Sequence, residues 1–251
     1  MPSVLVFDLD GTLAPIVAHF SQAAVPAHTA AQLTRLLRFW PVAVVTGRSV
    51  ADARGILGFT PDYLFGNHGA ERVDLVDLVE RVDRVDQQGQ RDLAGLSFAT
   101  QGLGSYRQLF GQHASVLAAR KVSFEDKGLS LACHYRQSDS PGATRAWLHA
   151  LIGSAGKGAV VTDGHMVVNI LLPHAPDKGD ALLTLLAECG AETALVVGDD
   201  NNDESAFVKA PRHAVTARIC AAHVATSARF RLSGQFEVNA LLENLLHYAE
   251  R

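Results

Sequence analysis

The chain is organised around a stretch at its start, Val4-Leu5-Val6-Phe7-Asp8-Leu9-Asp10-Gly11-Thr12-Leu13. Its apolar start predicts a buried parallel strand, and Gly11 allows the backbone to turn sharply after it. Asp8 and Asp10 follow at the carboxyl end of that strand, where open α/β sheets bind their ligands. An Asp-x-Asp pair alone is equally typical of a polar strand end closed by a turn. Whether Asp8 and Asp10 belong to a structural turn or to a functional site therefore depends on the rest of the chain.

Composition restricts the class of protein. The chain has 251 residues, of which 48% are hydrophobic and 19% charged, and this is typical of a globular fold. A net charge of -4 argues against a nucleic-acid or membrane-surface binder, and we find no apolar stretch long enough to cross a bilayer. The three cysteines lack metal-site spacing and are predicted to be buried thiols. No segment resembles a signal peptide, so we expect a cytoplasmic protein. We also expect a monomer or a weak homo-oligomer.

Strand and helix patterns alternate at both ends of the chain. Helices are predicted at residues 26–40, 50–57 and 237–248, and further strands at 41–45, 63–65 and 194–197. This alternation predicts right-handed crossovers and a parallel sheet. Between these ends the pattern changes to a helix at 105–119 and two antiparallel hairpins, which turn at 126–128 and 163–164. The predicted fold is therefore α/β, a Rossmann-like parallel-sheet core (residues 1–84 and 174–251) with an inserted α+β cap domain (85–173).

Polar groups follow several elements of the predicted core. They are Asp8 and Asp10, Thr46, Lys178, and the cluster Asp199, Asp200 and Asp203. Because strand ends of a parallel sheet share one edge, these carboxylates would repel one another unless a cation held them. Hard oxygen ligands favour Mg²⁺, and a hydroxyl with a lysine would bind a dianion. The set therefore predicts phosphoryl transfer to an aspartate nucleophile.

The same residues resemble the four motifs of haloacid-dehalogenase-type phosphohydrolases, and they occur in the expected order. Longer stretches are similar to the trehalose-6-phosphate phosphatases of that superfamily, which have a large α/β cap. These stretches are residues 8–16, 66–71, 125–136, 178–181, 198–207 and 231–234. The resemblance implies that a sugar phosphate, trehalose 6-phosphate, is the substrate.

This resemblance also implies catalytic roles. Asp8 would attack phosphorus, and Asp10 would protonate the departing sugar oxygen and later activate water. Thr46, the Gly47 amide and Lys178 would hold the phosphoryl oxygens.

The implied metal site uses the same acids. Asp8, the backbone carbonyl of Asp10 and Asp199 would ligate Mg²⁺. Asp203, with Asp200 as a further candidate, would support these ligands from the outer shell.

Candidate substrate contacts have a second interpretation each. These contacts are Arg48, His68, Lys127, His134 and Arg136. Arg48 could simply pair with a neighbouring acid, and His68, like Glu71, could brace its loop. Lys127 could be a solvated turn residue, and the other two cap side chains could face solvent.

Asn169 departs from the pattern of the family, which has glutamate at this position to grip sugar hydroxyls. Asparagine keeps an acceptor and gains a donor but loses the charge. This departure leaves the identity of the sugar open, and two alternatives to a trehalose-6-phosphate phosphatase remain. One is a phosphatase of the same mechanism for another sugar or glycosyl phosphate, and the other is a catalytically silent sugar-phosphate sensor.

Overall fold

The computed structural model describes residues 3–17, 22–74, 102–156 and 158–251. The chain divides into two compact units, one formed by Met1–Glu80 with Pro176–Arg251 and the other by Arg81–Ala175. The predicted domain boundaries after residues 84 and 173 stay predictions, and the first lies outside the described residues. None of the helices in the described ranges combines the length and apolarity that a bilayer crossing requires.

The first strand, β1 (Val4–Phe7), is buried on both of its faces. Side chains alternate across a strand, so Leu5 and Phe7 pack into one apolar cluster while Val4 and Val6 pack into another. A strand that is apolar at every position therefore has to lie between two layers of helices.

Within the described ranges, strands of the first unit form a seven-stranded sheet. They are β1, β2 (Val42–Val45), β3 (Tyr63–Gly66), β4 (Glu71–Asp74), β9 (Ala194–Gly198), β10 (Val215–Ile219) and β11 (Phe230–Leu232). Their order is β11-β10-β9-β1-β2-β3-β4. The pairs are parallel except β3–β4, which is antiparallel.

Helices cover both faces of this sheet. They are α1 (Ala27–Leu36), α2 (Val50–Leu57), α6 (Lys178–Glu188), α7 (Glu204–Lys209) and α8 (Phe236–Ala249). Apolar side chains of α1, α2 and α8 pack with Leu5 and Phe7, whereas those of α6 and α7 pack with Val4 and Val6. This three-layer α/β/α arrangement confirms the predicted core.

The second unit has one antiparallel sheet in its described part. Its elements are α3 (Gly104–Gln112), α4 (Ala114–Ala119), β5 (Ser123–Asp126), β6 (Ser130–His134), α5 (Pro141–Ser154), β7 (Val160–Gly164) and β8 (Val167–Leu171). The strand order is β5-β6-β8-β7. Leu131, Cys133, Val168 and Ile170 pack against the helices, so one sheet face is apolar. This is the α+β architecture predicted for the cap.

Some local predictions were wrong. The helix expected at 105–119 is two helices, because the backbone at His113 (φ -103°, ψ 15°) leaves the helical region. The helix expected at 26–40 ends at Leu36, because the chain then tightens into turns in which the Arg38 and Phe39 N–H groups bond carbonyls three residues back. Cys133 is buried as expected, but Cys189 and Cys220 are only half-buried.

Candidate active site

Three adjacent central strands, β9, β1 and β2, end in the polar residues that the sequence predicted to meet. Asp199 follows β9, Asp8 follows β1 and Thr46 follows β2. Lys178 does not follow a core strand but is the first residue of α6, where Asp177 and Asp180 form a capping box. The chain therefore delivers an ammonium group to this edge from a helix N-terminus.

Lys178 bridges two carboxylates in the interior. Its Nζ donates to Asp8 Oδ1 and to Asp203 Oδ1, both at 2.6 Å. The side chains of all three residues are at least nine-tenths buried. A buried charge is tolerated when it is paired and hydrogen-bonded, and these contacts allow the fold to hold all three side chains in its interior.

The electrostatics of the site show that its acids outnumber the cation beside them. Burial raises the pKa of Asp8 to about 7, although Lys178 opposes this shift. Burial, together with Asp8 and Asp203, raises the pKa of Asp199 well above its usual range. Burial alone would lower the pKa of Lys178, but Asp203 and Asp8 outweigh it and raise that pKa. A bound cation would supply the missing positive charge.

Asp203 supports the loop after β9 from within. Its Oδ2 accepts hydrogen bonds from the backbone N–H groups of Asp199 and Asp200, both at 2.9 Å. A Cβ at Gly198 would overlap the Asp203 side chain, so glycine is needed there for this close approach. Because both Asp203 oxygens already accept bonds, its geometry matches the outer-shell role predicted for it better than that of a direct ligand.

The acids of this site fit a divalent metal ion. One oxygen each of Asp8, Asp199 and Asp203 lies within 4.8 Å of the others. Hard carboxylate oxygens, raised pKa values and an outer-shell acid on the same loop are the donor chemistry of Mg²⁺ or a similar cation. The predicted use of the Asp10 carbonyl as a ligand stays a prediction.

Gly11 provides the space into which the Asp199 carboxylate fits. Its φ of +84° is left-handed, and a Cβ there would overlap Asp199. We therefore expect Gly11→Ala to displace that carboxylate and to lower metal affinity by about 10- to 100-fold. Titration of the metal into the variant measures this. Gly58→Ala, also at positive φ (+67°) but where a Cβ would make only ordinary van der Waals contact, is the control for backbone strain. Equal affinity in both variants would contradict the role of Gly11.

Asp10 points to a different partner from Asp8. Arg48 binds it through two hydrogen bonds, Nε to Oδ2 at 2.6 Å and Nη2 to Oδ1 at 2.7 Å. The guanidinium is buried while the Asp10 side chain is 39% exposed. The interpretation of Arg48 as the partner of a neighbouring acid is therefore correct, and that acid is the candidate proton donor.

Thr46 and Gly47 lie in the loop after β2, and the turn that contains His68 holds this loop in place. Thr46 Oγ1 accepts the Arg48 N–H at 3.2 Å, which leaves the hydroxyl proton of Thr46 as a donor. The His68 N–H bonds the Thr46 carbonyl at 2.9 Å, and a Cβ at Gly47 would overlap the His68 ring. His68 thus packs directly on Gly47 and has a left-handed backbone (φ 60°).

Glu71 braces this turn, as one of its two interpretations predicted. Its Oε2 accepts hydrogen bonds from the Val50 N–H at 2.9 Å and from Asn67 Nδ2 at 2.8 Å. Ser49 accepts from the Asp52 N–H of the same helix, so two side chains cap α2.

In the cap, the candidates Lys127 and His134 meet at an acid. His134 Nε2 lies 2.7 Å and Lys127 Nζ 3.7 Å from Glu125 Oε2. The Lys127 side chain is only 7% exposed, so it is not a solvated turn residue. Glu125 was not predicted as a site residue, because its contact with Lys127 depends on how the turn after β5 folds back, and spacing in the sequence does not give that.

Asn169 lies in the same row of the cap sheet. Register aligns Glu125 with Ala132, Ala132 with Asn169, and Asn169 with Thr162 on neighbouring strands. Asn169 is buried. Arg136 lies apart from this row, where its guanidinium donates to the His165 carbonyl at 3.2 Å in the turn between β7 and β8.

Comparisons of sequence agree with these observations. The family model described as trehalose-phosphatase matches residues 113–235. The trehalose-6-phosphate phosphatase of Escherichia coli (strain K12) is 30% identical over 247 residues, 94% of this chain and 84% of that protein. The trehalose-phosphate phosphatase of Mycolicibacterium paratuberculosis (strain ATCC BAA-968 / K-10) is 31% identical over 80% of this chain, which spans 49% of that longer protein.

Solved structures share the fold over almost the whole chain. A trehalose-6-phosphate phosphatase related protein aligns with a TM-score of 0.70 at 20% identity, covering 97% of each chain. A phosphatase of the haloalkanoate (HAD) superfamily from Bacteroides thetaiotaomicron aligns with a TM-score of 0.58 at 17% identity, covering 99% of this chain and 95% of that one. The motif residues of this chain lie together at one edge of its sheet, which agrees with these similarities. This chain therefore belongs to the trehalose-phosphatase family and has the HAD phosphatase fold.

Proposed function

We propose that this protein is a Mg²⁺-dependent phosphatase that hydrolyses trehalose 6-phosphate through a phosphorylated Asp8. The observation that carries the proposal is the buried contact of Asp8 with Lys178 beside Asp199 and Asp203. Such a group of acids around one lysine is costly to bury, and with a bound cation it suits a reaction that transfers a phosphoryl group from a phosphate dianion.

The first step uses Asp8 and Asp10 in separate roles. The Asp8 carboxylate attacks phosphorus, and an oxygen–phosphorus bond forms as the bond to the sugar oxygen breaks. Asp10 gives its proton to that oxygen, and a placed acid is worth roughly 10²–10⁴-fold. In this structure both Asp10 oxygens accept bonds from Arg48, so Asp10 would release one of these bonds when it carries the proton to the sugar oxygen.

The second step returns the enzyme to its starting state. A water oxygen attacks the same phosphorus while Asp10 takes its proton, and the bond to Asp8 breaks to release inorganic phosphate. Lys178, the Thr46 hydroxyl and the Gly47 N–H would bind the phosphoryl oxygens throughout. Mg²⁺ held by Asp8 and Asp199 would supply positive charge to those oxygens and to the nucleophile.

Recognition of the sugar is proposed for the polar face of the cap sheet. Glu125 and Asn169 offer a carboxylate and an amide on that face, Lys127 contacts Glu125 from the turn after β5, and such groups suit sugar hydroxyls. Support for trehalose 6-phosphate in particular comes from the name and 30% identity of the Escherichia coli relative. His134, which contacts Glu125, would keep that acid oriented.

A panel of sugar phosphates tests this proposal. We expect Mg²⁺-dependent phosphate release that EDTA abolishes, with the highest kcat/KM for trehalose 6-phosphate. Preference for a monosaccharide phosphate would instead support the alternative phosphatase that Asn169 leaves open. Lack of release from every substrate would support the silent sensor.

Asn169 should affect sugar binding and not the chemistry. We expect Asn169→Ala to raise KM for trehalose 6-phosphate about 3- to 10-fold, the value of one lost hydrogen bond. The rate with p-nitrophenyl phosphate, which lacks the sugar, should stay unchanged. Asp163→Asn is the control, because Asp163 pairs with Val168 and so lies on the opposite face. An unchanged KM in Asn169→Ala would remove this residue from the sugar site.

A further inference from the structure

Arg218 is a buried cation that was not among the candidate residues predicted from the sequence. It lies on β10, where it pairs with Gly198 at the end of β9, and its side chain is 6% exposed. An arginine is rarely buried this deeply unless its donors are used. Its contacts therefore indicate what it is for.

The guanidinium of Arg218 is directed at the loop that carries Asp199 and Asp203. Its Nε donates to the Asp199 carbonyl at 3.1 Å, and its Nη2 donates to Asn201 Oδ1 at 2.9 Å. The planar fork of an arginine makes these two bonds from two nitrogens held in a fixed geometry, whereas a lysine has only a single Nζ at the end of a flexible chain. Arg218 thus holds the loop at its first residue and at its turn.

Glu204 anchors Arg218 from the other side. Its Oε1 accepts a hydrogen bond from Arg218 Nη1 at 2.6 Å and from Thr226 Oγ1 at 2.7 Å, and its Oε2 accepts the Ser227 N–H at 2.7 Å. The ion pair is thereby fixed to the segment between β10 and β11. Because Arg218 is fixed on both sides, its ion pair with Glu204 can hold the loop after β9 at a defined position relative to β10.

Asp199 is consequently held at both of its peptide groups. Asp203 accepts its N–H at 2.9 Å, and Arg218 donates to its carbonyl at 3.1 Å. Because hydrogen bonds fix the peptide groups on both sides of Asp199, these two contacts together set the position of its carboxylate, which lies against Gly11.

We propose that Arg218 is a positioning residue that sets the metal affinity of the Asp8–Asp199 site through the Asp199 peptide. This inference rests on the metal site of the proposed function. Loss of an outer-shell partner weakens metal binding by about 10- to 100-fold, and we expect that range for Arg218 variants. KM for substrate should change less than twofold at saturating Mg²⁺, because Arg218 acts on the metal loop.

Metal binding without substrate is the direct test. Mn²⁺ is titrated into the apoprotein and the free ion is followed by electron paramagnetic resonance, with Mg²⁺ as competitor. Arg218→Lys keeps the charge opposite Glu204 but loses the fork, so metal affinity should fall, and thermal unfolding shows whether the variant is folded under the conditions of the titration. Arg229→Met is the control, because Arg229 bonds the carbonyls of Ala214 and Pro211 near the start of β10.

The outcomes separate this inference from the proposed function. Weaker Mn²⁺ and Mg²⁺ binding in Arg218→Lys, with Arg229→Met unchanged, would support the positioning role. Wild-type affinity in a folded Arg218→Lys would overturn this inference alone. Absence of metal binding in the wild type would overturn the metal site of the proposed function and this inference with it. If Arg218→Lys does not fold, Glu204→Gln is titrated with metal in the same way, because it weakens the ion pair that holds the Arg218 guanidinium. Wild-type metal affinity in Glu204→Gln would then overturn the inference.

Discussion

Asp8→Asn is expected to lose turnover of trehalose 6-phosphate by at least about 10⁴-fold, because the amide cannot attack phosphorus. The variant should still fold. Burial raises the pKa of Asp8 from 3.8 to about 7, so the cost of the charged carboxylate to the fold grows between these two pH values and is complete above about pH 7. An uncharged side chain of equal size should therefore keep or raise the thermal midpoint in EDTA. Phosphate release and thermal unfolding measure the two effects.

The control for this variant is Asp62→Asn. Asp62 precedes β3 at the opposite edge of the sheet, and its Oδ2 accepts the Val42 N–H at 2.8 Å. Asparagine can still accept that bond, so this variant should keep wild-type turnover. Retained activity in Asp8→Asn would refute a nucleophilic role for Asp8.

Lys178→Met is expected to affect both stability and rate. Removing the cation leaves Asp8 and Asp203 buried without their shared partner, and breaking such a buried pair costs about 3–5 kcal/mol. Turnover should also fall by about 10²–10³-fold, because a donor to the transferred phosphoryl group is lost. Denaturant unfolding in EDTA measures the first effect, and the rate in saturating Mg²⁺ measures the second.

Lys209→Met is the matched control for Lys178. Lys209 also binds two carboxylates, those of Asp177 and Asp180, but its side chain is 33% exposed. Solvent screens such pairs, so the cost should stay below about 1 kcal/mol and turnover should hold. Equal losses in the two variants would show that the burial of Lys178 has no special role.

The sequence was informative where apolar runs end in polar residues. The short apolar runs before Asp8, Thr46 and Asp199 are typical of buried strands, and the carboxyl ends of parallel strands lie at the same edge of a sheet. The meeting of these side chains was therefore predictable from the order of residues alone. The α/β core and the α+β cap followed from the switch between helical and alternating periodicity.

Other contacts depend on geometry that local sequence does not contain. The pairing of Arg48 with Asp10 joins side chains 38 positions apart, and that of Arg218 with Asp199 depends on the β9–β10 register. The antiparallel edge strand β4 was missed because Glu71-Arg72-Val73-Asp74 is polar at most positions. Edge strands need less apolar surface than central ones, so they leave a weaker signal.

Phosphorylation of Asp8 is the step on which the proposed mechanism depends, and it can be trapped. The Asp10→Asn variant, which should form the intermediate from p-nitrophenyl phosphate but hydrolyse it slowly, is mixed with this substrate and Mg²⁺ and quenched in acid. Mass spectrometry of the peptide that contains Asp8 then locates the phosphoryl group. We predict a phosphoryl group on Asp8, absent from the Asp8→Asn/Asp10→Asn double variant. An unmodified Asp8, or a phosphoryl group on another residue, would contradict the mechanism.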